Sequence, residues 1–155
     1  MTRLVIGIGT YNRGDDAAGL AVAERVRAAR LAGVVVKRLA GDQLGLLDAW
    51  AEDAEEPDAM YVVDAMCSDS PPGTIVRFDA VTPLESRFTH RGTHTFSLAD
   101  VIELARALGE LPEHLTGYGI EGGTFATGAP LSPEADAAIK DVTSRLIQEL
   151  ACAPG

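Results

Sequence analysis

Two adjacent carboxylates, Asp15 and Asp16, stand just after the apolar run Leu4-Val-Ile-Gly-Ile-Gly9 and at the head of an amphipathic segment. That order reads as strand, turn and helix start, and open α/β sheets hold their ligands in loops at the carboxyl ends of parallel strands. Two acids in such a loop suit a cation. Asp64 closes a second apolar run, Ala59-Met-Tyr-Val-Val-Asp64, where a carboxylate is tolerated only when paired, hydrogen-bonded or metal-bound. His94 lies in a loop just ahead of a helix that opens with the capping box Ser97-Leu-Ala-Asp100. Asp16, Asp64 and His94 together offer two carboxylates and an imidazole, a donor set for a first-row divalent ion such as nickel or zinc with coordination positions left open. Each residue also has a plainer reading. One aspartate can serve the helix start, where an anion gains about 0.3–1 kcal/mol from the macrodipole, Asp64 can cap the loop that follows it, and a single histidine is more often a surface group.

Other constellations fit less well. Gly7-x-Gly9 after a strand invites a dinucleotide, but Asn12 occupies the third glycine position, and a phosphate there would face Asp15 and Asp16. Like charges at such range cost on the order of a few kcal/mol. Cys67, three residues past Asp64, offers a cysteine hydrolase dyad with His94. It is followed by the turn Ser68-Asp-Ser-Pro-Pro-Gly73, with an acidic member and no helix start to lower the thiol pKa. His90 is spaced four from His94, but Gly92 interrupts any shared helical face, and His114 reads as a surface residue. The chain holds neither HExxH nor GxSxG.

The elements that must position these groups follow from periodicity. Asp16 to Ala32 reads as a helix with Leu20, Ala23, Val26 and Arg27 on one stripe, stopped by Gly33, and Val34–Ala40 is a second strand. A turn at Gly41-Asp42-Gln43, a short helix from Leu44 to Ala51 holding Trp50, an acidic linker from Glu52 to Asp58 and a buried strand at Ala59–Ala65 continue the alternation. Thr74–Phe78 alternates as a half-exposed strand suited to an antiparallel edge, and Val81 to Thr95 is low in periodicity. The helix opened by Ser97 carries Val101, Ile102, Ala105 and Leu108, and Leu115–Ile120 is the last strand. A Gly-rich loop from Glu121 to Leu131 leads to Ser132-Pro133-Glu134, an N-cap, a proline at the first helical position and an acidic first turn, for a helix to about Leu150. The pattern predicts a three-layer α/β/α sandwich with a mostly parallel sheet of about five strands, a single domain over residues 1–155.

A formal charge of −10 over 155 residues argues against nucleic acid or an anionic membrane as partner, since both draw affinity from lysine and arginine. No apolar run approaches the roughly 18 residues of a span, and the amino terminus enters a strand directly, so a soluble, cytoplasmic protein is expected. Cys67 and Cys152 lack CxxC spacing and are expected as reduced thiols.

The chain resembles the hydrogenase maturation endopeptidases, which remove a carboxy-terminal extension from the large subunit of nickel-iron hydrogenases. The resemblance is carried by Gly7-Ile-Gly9 through Arg13-Gly-Asp-Asp16 to Gly19, Val62-Val-Asp64-Ala65, Thr93-His94 with Ser97-Leu98, Tyr118-Gly-Ile120 and Leu131-Ser-Pro133. Gly41-Asp42 resembles a further family loop. The resemblance implies a peptidase of aspartyl endopeptidase character that recognises nickel installed in its client. Asp16, Asp64 and His94 would contact the metal, and Asp16 and Asp64 are the implied catalytic groups. The nickel would arrive with the substrate, the partner would be a hydrogenase large-subunit precursor, and no organic cofactor is implied. Two positions depart from the family pattern: Asp16 stands where a glutamate is frequent, one methylene longer, and Thr10 where an asparagine is usual. A water activated by the metal or by a carboxylate would attack the peptide, and neither is selected by the sequence. The other reading of the same trio is a non-catalytic nickel sensor or docking module.

Overall fold

The computed structural model describes residues 2–41, 45–51, 57–79 and 98–152. Its strands are β1 (Arg3–Gly9), β2 (Val34–Ala40), β3 (Ala59–Met66), β4 (Ile75–Asp79) and β5 (Leu115–Glu121), and its helices α1 (Ala18–Ala28), α2 (Gly45–Ala51), α3 (Leu98–Leu108) and α4 (Pro133–Ala151). A 3-10 turn, Gly14–Ala17, precedes α1. The expected turn residues Asp42 and Gln43, most of the acidic linker, the stretch from Val81 to Thr95 with His90 and His94, and the Ser97 cap lie outside the described residues.

The strands form one sheet in the order β2-β1-β3-β5-β4, parallel throughout except for β4, which pairs antiparallel with β5 at the edge. This is the expected α/β sandwich. From β1 the chain steps outward to β2 and then returns across β1 to β3. Right-handed crossovers in opposite directions must use opposite faces of the sheet, and the core divides accordingly. Leu4, Ile6, Ile8, Met60, Val62 and Leu115 meet Leu46 and Ala49 of α2 and Val101, Ile102 and Ala105 of α3. Val5, Tyr61, Val63, Tyr118 and Ile120 meet Val22 and Val26 of α1 and Ile139, Val142 and Leu146 of α4. Strands covered on both faces read as continuous apolar runs, as β1 and β3 do.

Two expected stripes are adjusted. On α1, Val22 is buried with Leu20, Ala23 and Val26 while Arg27 is exposed, and on α3, Leu108 points to solvent at the helix end. A long cation at the last turn of a helix gains from the macrodipole and from water, which outweighs its place on the stripe. At α4 the expected cap is present: the Ser132 hydroxyl accepts the Ala135 N–H at 3.2 Å, with Pro133 at the first helical position.

Candidate functional site

β1 and β3 are neighbours whose following segments leave the sheet in opposite directions, so a crevice opens beyond their carboxyl ends. The turn that carries Asp16 and the part of β3 that carries Asp64 both lie at that end of the sheet. Asp16 sits in the 3-10 turn, and its carbonyl accepts the Thr10 N–H at 3.2 Å, folding the turn back over the end of β1. Close approach requires small residues here. A Cβ on Gly19 would stand 2.3 Å from the carbonyl oxygens of both Ile8 and Val63, so the start of α1 rests on β1 and β3 together. The Gly7-x-Gly9 pair serves the same packing, since a Cβ at Gly9 would lie 2.2 Å from the Asp16 carbonyl oxygen.

Asp64 is 3% exposed and lies opposite Gly119 of β5. Its Oδ1 accepts the Ala65 N–H at 2.8 Å. Two residues past Val62, it belongs to the sheet face covered by α2 and α3. Six residues join α3 to the amino end of β5, so α3 runs back along the sheet and its first residue is directed to the strands' carboxyl ends. His94, four residues before Leu98, lies outside the described residues, and so does any contact it makes. Among the described residues no group of three His, Cys, Asp or Glu is placed to hold a metal ion.

Asp15 shares the first turn of the 3-10 segment with Asp16, but its side chain turns inward rather than toward the crevice. It is fully buried, and its carboxylate accepts hydrogen bonds from the N–H of Gly123 (2.8 Å), Thr124 (3.3 Å) and Ser132 (2.7 Å) and from the Ser132 hydroxyl (2.7 Å). Burial alone would push this carboxyl up. The hydrogen bonds from Ser132, Gly123 and Thr124 more than offset it and hold the group below the ordinary aspartate range. The folded chain therefore binds this proton less readily than the unfolded one. The resulting stability is complete above the unfolded value of 3.8 and is lost as pH falls through the folded value. In an acid titration followed by circular dichroism, wild type should lose stability below that pH, and Asp15→Asn should lack that part of the slope.

A further carboxylate escaped the sequence reading. Glu121, at the end of β5, is 1% exposed, and its Oε1 accepts the Ser68 N–H (2.8 Å), the Ser68 hydroxyl (2.7 Å) and the Ser70 N–H (3.0 Å). It stands opposite Met66, two places beyond Asp64 on the neighbouring strand. The available signal was the one that marked Asp64, an acid closing an apolar strand.

Cys67 is exposed, and its thiol is pushed up by partial burial and by the negative charges of Glu121 and Asp69. At neutral pH it is held as the thiol, the wrong form for a nucleophile. His114 is at the surface, as expected.

Comparison with known proteins agrees with this architecture. The sequence model of the hydrogenase maturation protease family, HycI, matches residues 46–149. The chain is 29% identical over 154 residues to the hydrogenase 2 maturation protease of Escherichia coli strain K12, covering 97% of this chain and 91% of that protein. Among solved structures it is similar to the hydrogenase maturating endopeptidase HybD from E. coli, at 26% identity and a TM-score of 0.73 over 97% of this chain and 93% of the other. An endopeptidase from E. coli superimposes with a TM-score of 0.77 at 25% identity, over 97% and 92% of the two chains. With the family's sequence pattern spread over two thirds of its length and the fold of its solved relatives over nearly all of it, the chain belongs to the hydrogenase maturation proteases and is an endopeptidase.

Proposed function

We infer that the chain cuts the carboxy-terminal extension from a hydrogenase large-subunit precursor already loaded with nickel, using Asp16, Asp64 and His94 to engage that nickel. The observation that supports this reading is that the turn bearing Asp16 folds back over the end of β1, through the Thr10 N–H to Asp16 carbonyl bond, while Asp64 lies near the end of the adjacent β3. His94 stands four residues before α3 in the sequence.

In this mechanism the client's nickel is part of the substrate and orients the scissile peptide beside the crevice. Asp64, buried and fixed by the Ala65 N–H, supplies a rigid ligand. Asp16, only half-buried, is the more accessible carboxylate and suits the activation of a water for attack on the peptide carbonyl. Asp16 would take a proton from the attacking water and return it to the amine as the C–N bond breaks and the extension leaves, while nickel, when present in the client, would supply Lewis-acid polarisation of the peptide carbonyl. The client would be a folded protein in the cytoplasm, and the chain itself would need no organic cofactor. Among the described residues no helix is long and apolar enough to cross a membrane.

The test is a processing assay. Purified protein mixed with nickel-loaded precursor should shorten the large subunit at one position, read by intact mass, while precursor lacking nickel should stay whole. Persistent full-length precursor alongside tight complex formation would instead favour the docking module. Cys67→Ala should process at a rate within about twofold of wild type, because a protonated, exposed thiol has no part in this chemistry.

A further inference from the structure

Asp15 and Glu121 are buried carboxylates that the proposed chemistry does not use, and both are anchored in the same stretch of chain. Asp15 reaches across from the turn that carries Asp16 to the N–H groups of Gly123, Thr124 and Ser132. The backbone repeats the connection: Asp15 N–H donates to Thr124, Gly14 N–H to Ala129, and Gly128 N–H to Asn12. Gly14 has φ +57°, and a Cβ there would meet the Thr124 carbonyl oxygen at 2.5 Å, so the two segments touch along their backbones. Glu121 opens this stretch and grips the other side of the crevice, binding Ser68 and Ser70 just beyond Asp64. Gly122 N–H donates to the Met66 carbonyl and Gly73 N–H to the Glu121 carbonyl.

We propose that Asp15 and Glu121 are positioning residues, which through segment 121–132 hold the turn bearing Asp16 and the strand end bearing Asp64 at one fixed separation. This rests on the processing reading above. Among the described residues neither carboxylate has an ion-pair partner; each is satisfied by N–H and hydroxyl donors, which fix direction as well as distance. Segment 121–132 is therefore a brace across the crevice. Loosening either end changes the distance between the two acids without removing either of them.

The oxygen-by-oxygen pattern makes the two positions respond differently to the same chemical change. At Asp15, Oδ2 accepts from Gly123, Thr124 and the Ser132 hydroxyl while Oδ1 accepts the Ser132 N–H. An asparagine must turn its NH2 toward one of these donor sets, whichever way it is oriented. At Glu121 three of the four bonds fall on Oε1, and Oε2 has only a shared contact with the Ser68 N–H at 3.0 Å. A glutamine can keep its oxygen there.

The measurement is kcat and KM on nickel-loaded precursor, per folded molecule and well below each variant's melting temperature. Asp15→Asn and Glu121→Ala should lower kcat at least about tenfold with KM within about twofold, since misplacement of reacting groups by about 1 Å can cost on the order of 10²-fold. Glu121→Gln should stay within about threefold of wild type. Folded Asp15→Asn and Glu121→Ala proteins with undiminished kcat would overturn the proposal and leave the two acids as stabilisers only. Should Asp15→Asn fail to fold, the Glu121 variants and Ser132→Ala decide. Ser132→Ala keeps three of the four bonds to Asp15 and should show a partial loss of kcat; wild-type turnover in all of these overturns the brace. Wild-type protein that leaves the precursor uncut overturns the processing reading and this inference with it. Cut precursor with unmoved kcat in the variants overturns this inference alone.

Discussion

Protein carrying Asp64→Asn should leave nickel-loaded precursor uncut over a time in which wild type processes it completely, and Asp16→Asn should do the same. The expected loss in kcat/KM is about 10²-fold or more, the range associated with removing a general base or the charge that holds a metal. The amide is the same size as the carboxylate, so the change is one of charge and donor pattern. At Asp64 an asparagine oxygen can still accept the Ala65 N–H now bound at 2.8 Å, which keeps the local backbone in place. Melting temperatures within a few degrees of wild type would accompany the loss of processing, separating chemistry from folding. Processing at near-wild-type rate by either variant would remove that aspartate from the reaction.

Gly19→Ala should produce the largest effect on stability. Its added Cβ would stand 2.3 Å from two carbonyl oxygens, of Ile8 and Val63, and neither belongs to a side chain that can rotate away. Relief requires lifting the start of α1 from β1 and β3, which exposes Leu20, Val22 and Ala23 and opens gaps beneath them. A cost of about 4 kcal/mol or more is expected, a large share of the roughly 5–15 kcal/mol that stabilises such a domain. The melting temperature should fall by about 10 °C or more in a thermal scan, or the protein should be recovered unfolded. Gly45→Ala is the control: nothing lies within 4 Å of its Cβ position, and its melting temperature should be unchanged or slightly raised. Equal stability of the two variants would contradict the close packing of α1.

Much of this architecture was legible because local signals agreed. β2 begins and ends at the expected residues, β1 and β3 differ from expectation by a residue at one end, and the Ser132-Pro133 cap opens α4 as its chemistry requires. Periodicity alone predicts a single helix from Asp16, whereas Gly14–Ala17 is a separate tighter turn. Its form is set by contact with Thr124 and Ala129, which no local periodicity records. The role of Asp15 was illegible for the same reason: its partners lie 108 to 117 residues away, and adjacent aspartates give no clue to which one turns inward. Asp64 is a candidate from sequence because it stands where an apolar strand meets a loop, and Asp16 because it heads the helix after one; Glu121 meets the first criterion but merges with the Gly-rich stretch after it. His94 rests on the resemblance and on its position ahead of α3.

The hydrogen bonds from Ser132 to Asp15 join the first and last parts of the chain, so the crevice has no finished wall until residue 132 has been synthesised and α4 has docked. Pairings between residues so distant in sequence form late in folding, because loop closure must come before they contribute. A growing polypeptide on the ribosome would thus carry both Asp16 and Asp64 long before their spacing is defined. In the proposed mechanism, cleavage would therefore wait until residues 121–132 have folded against the turn that carries Asp16.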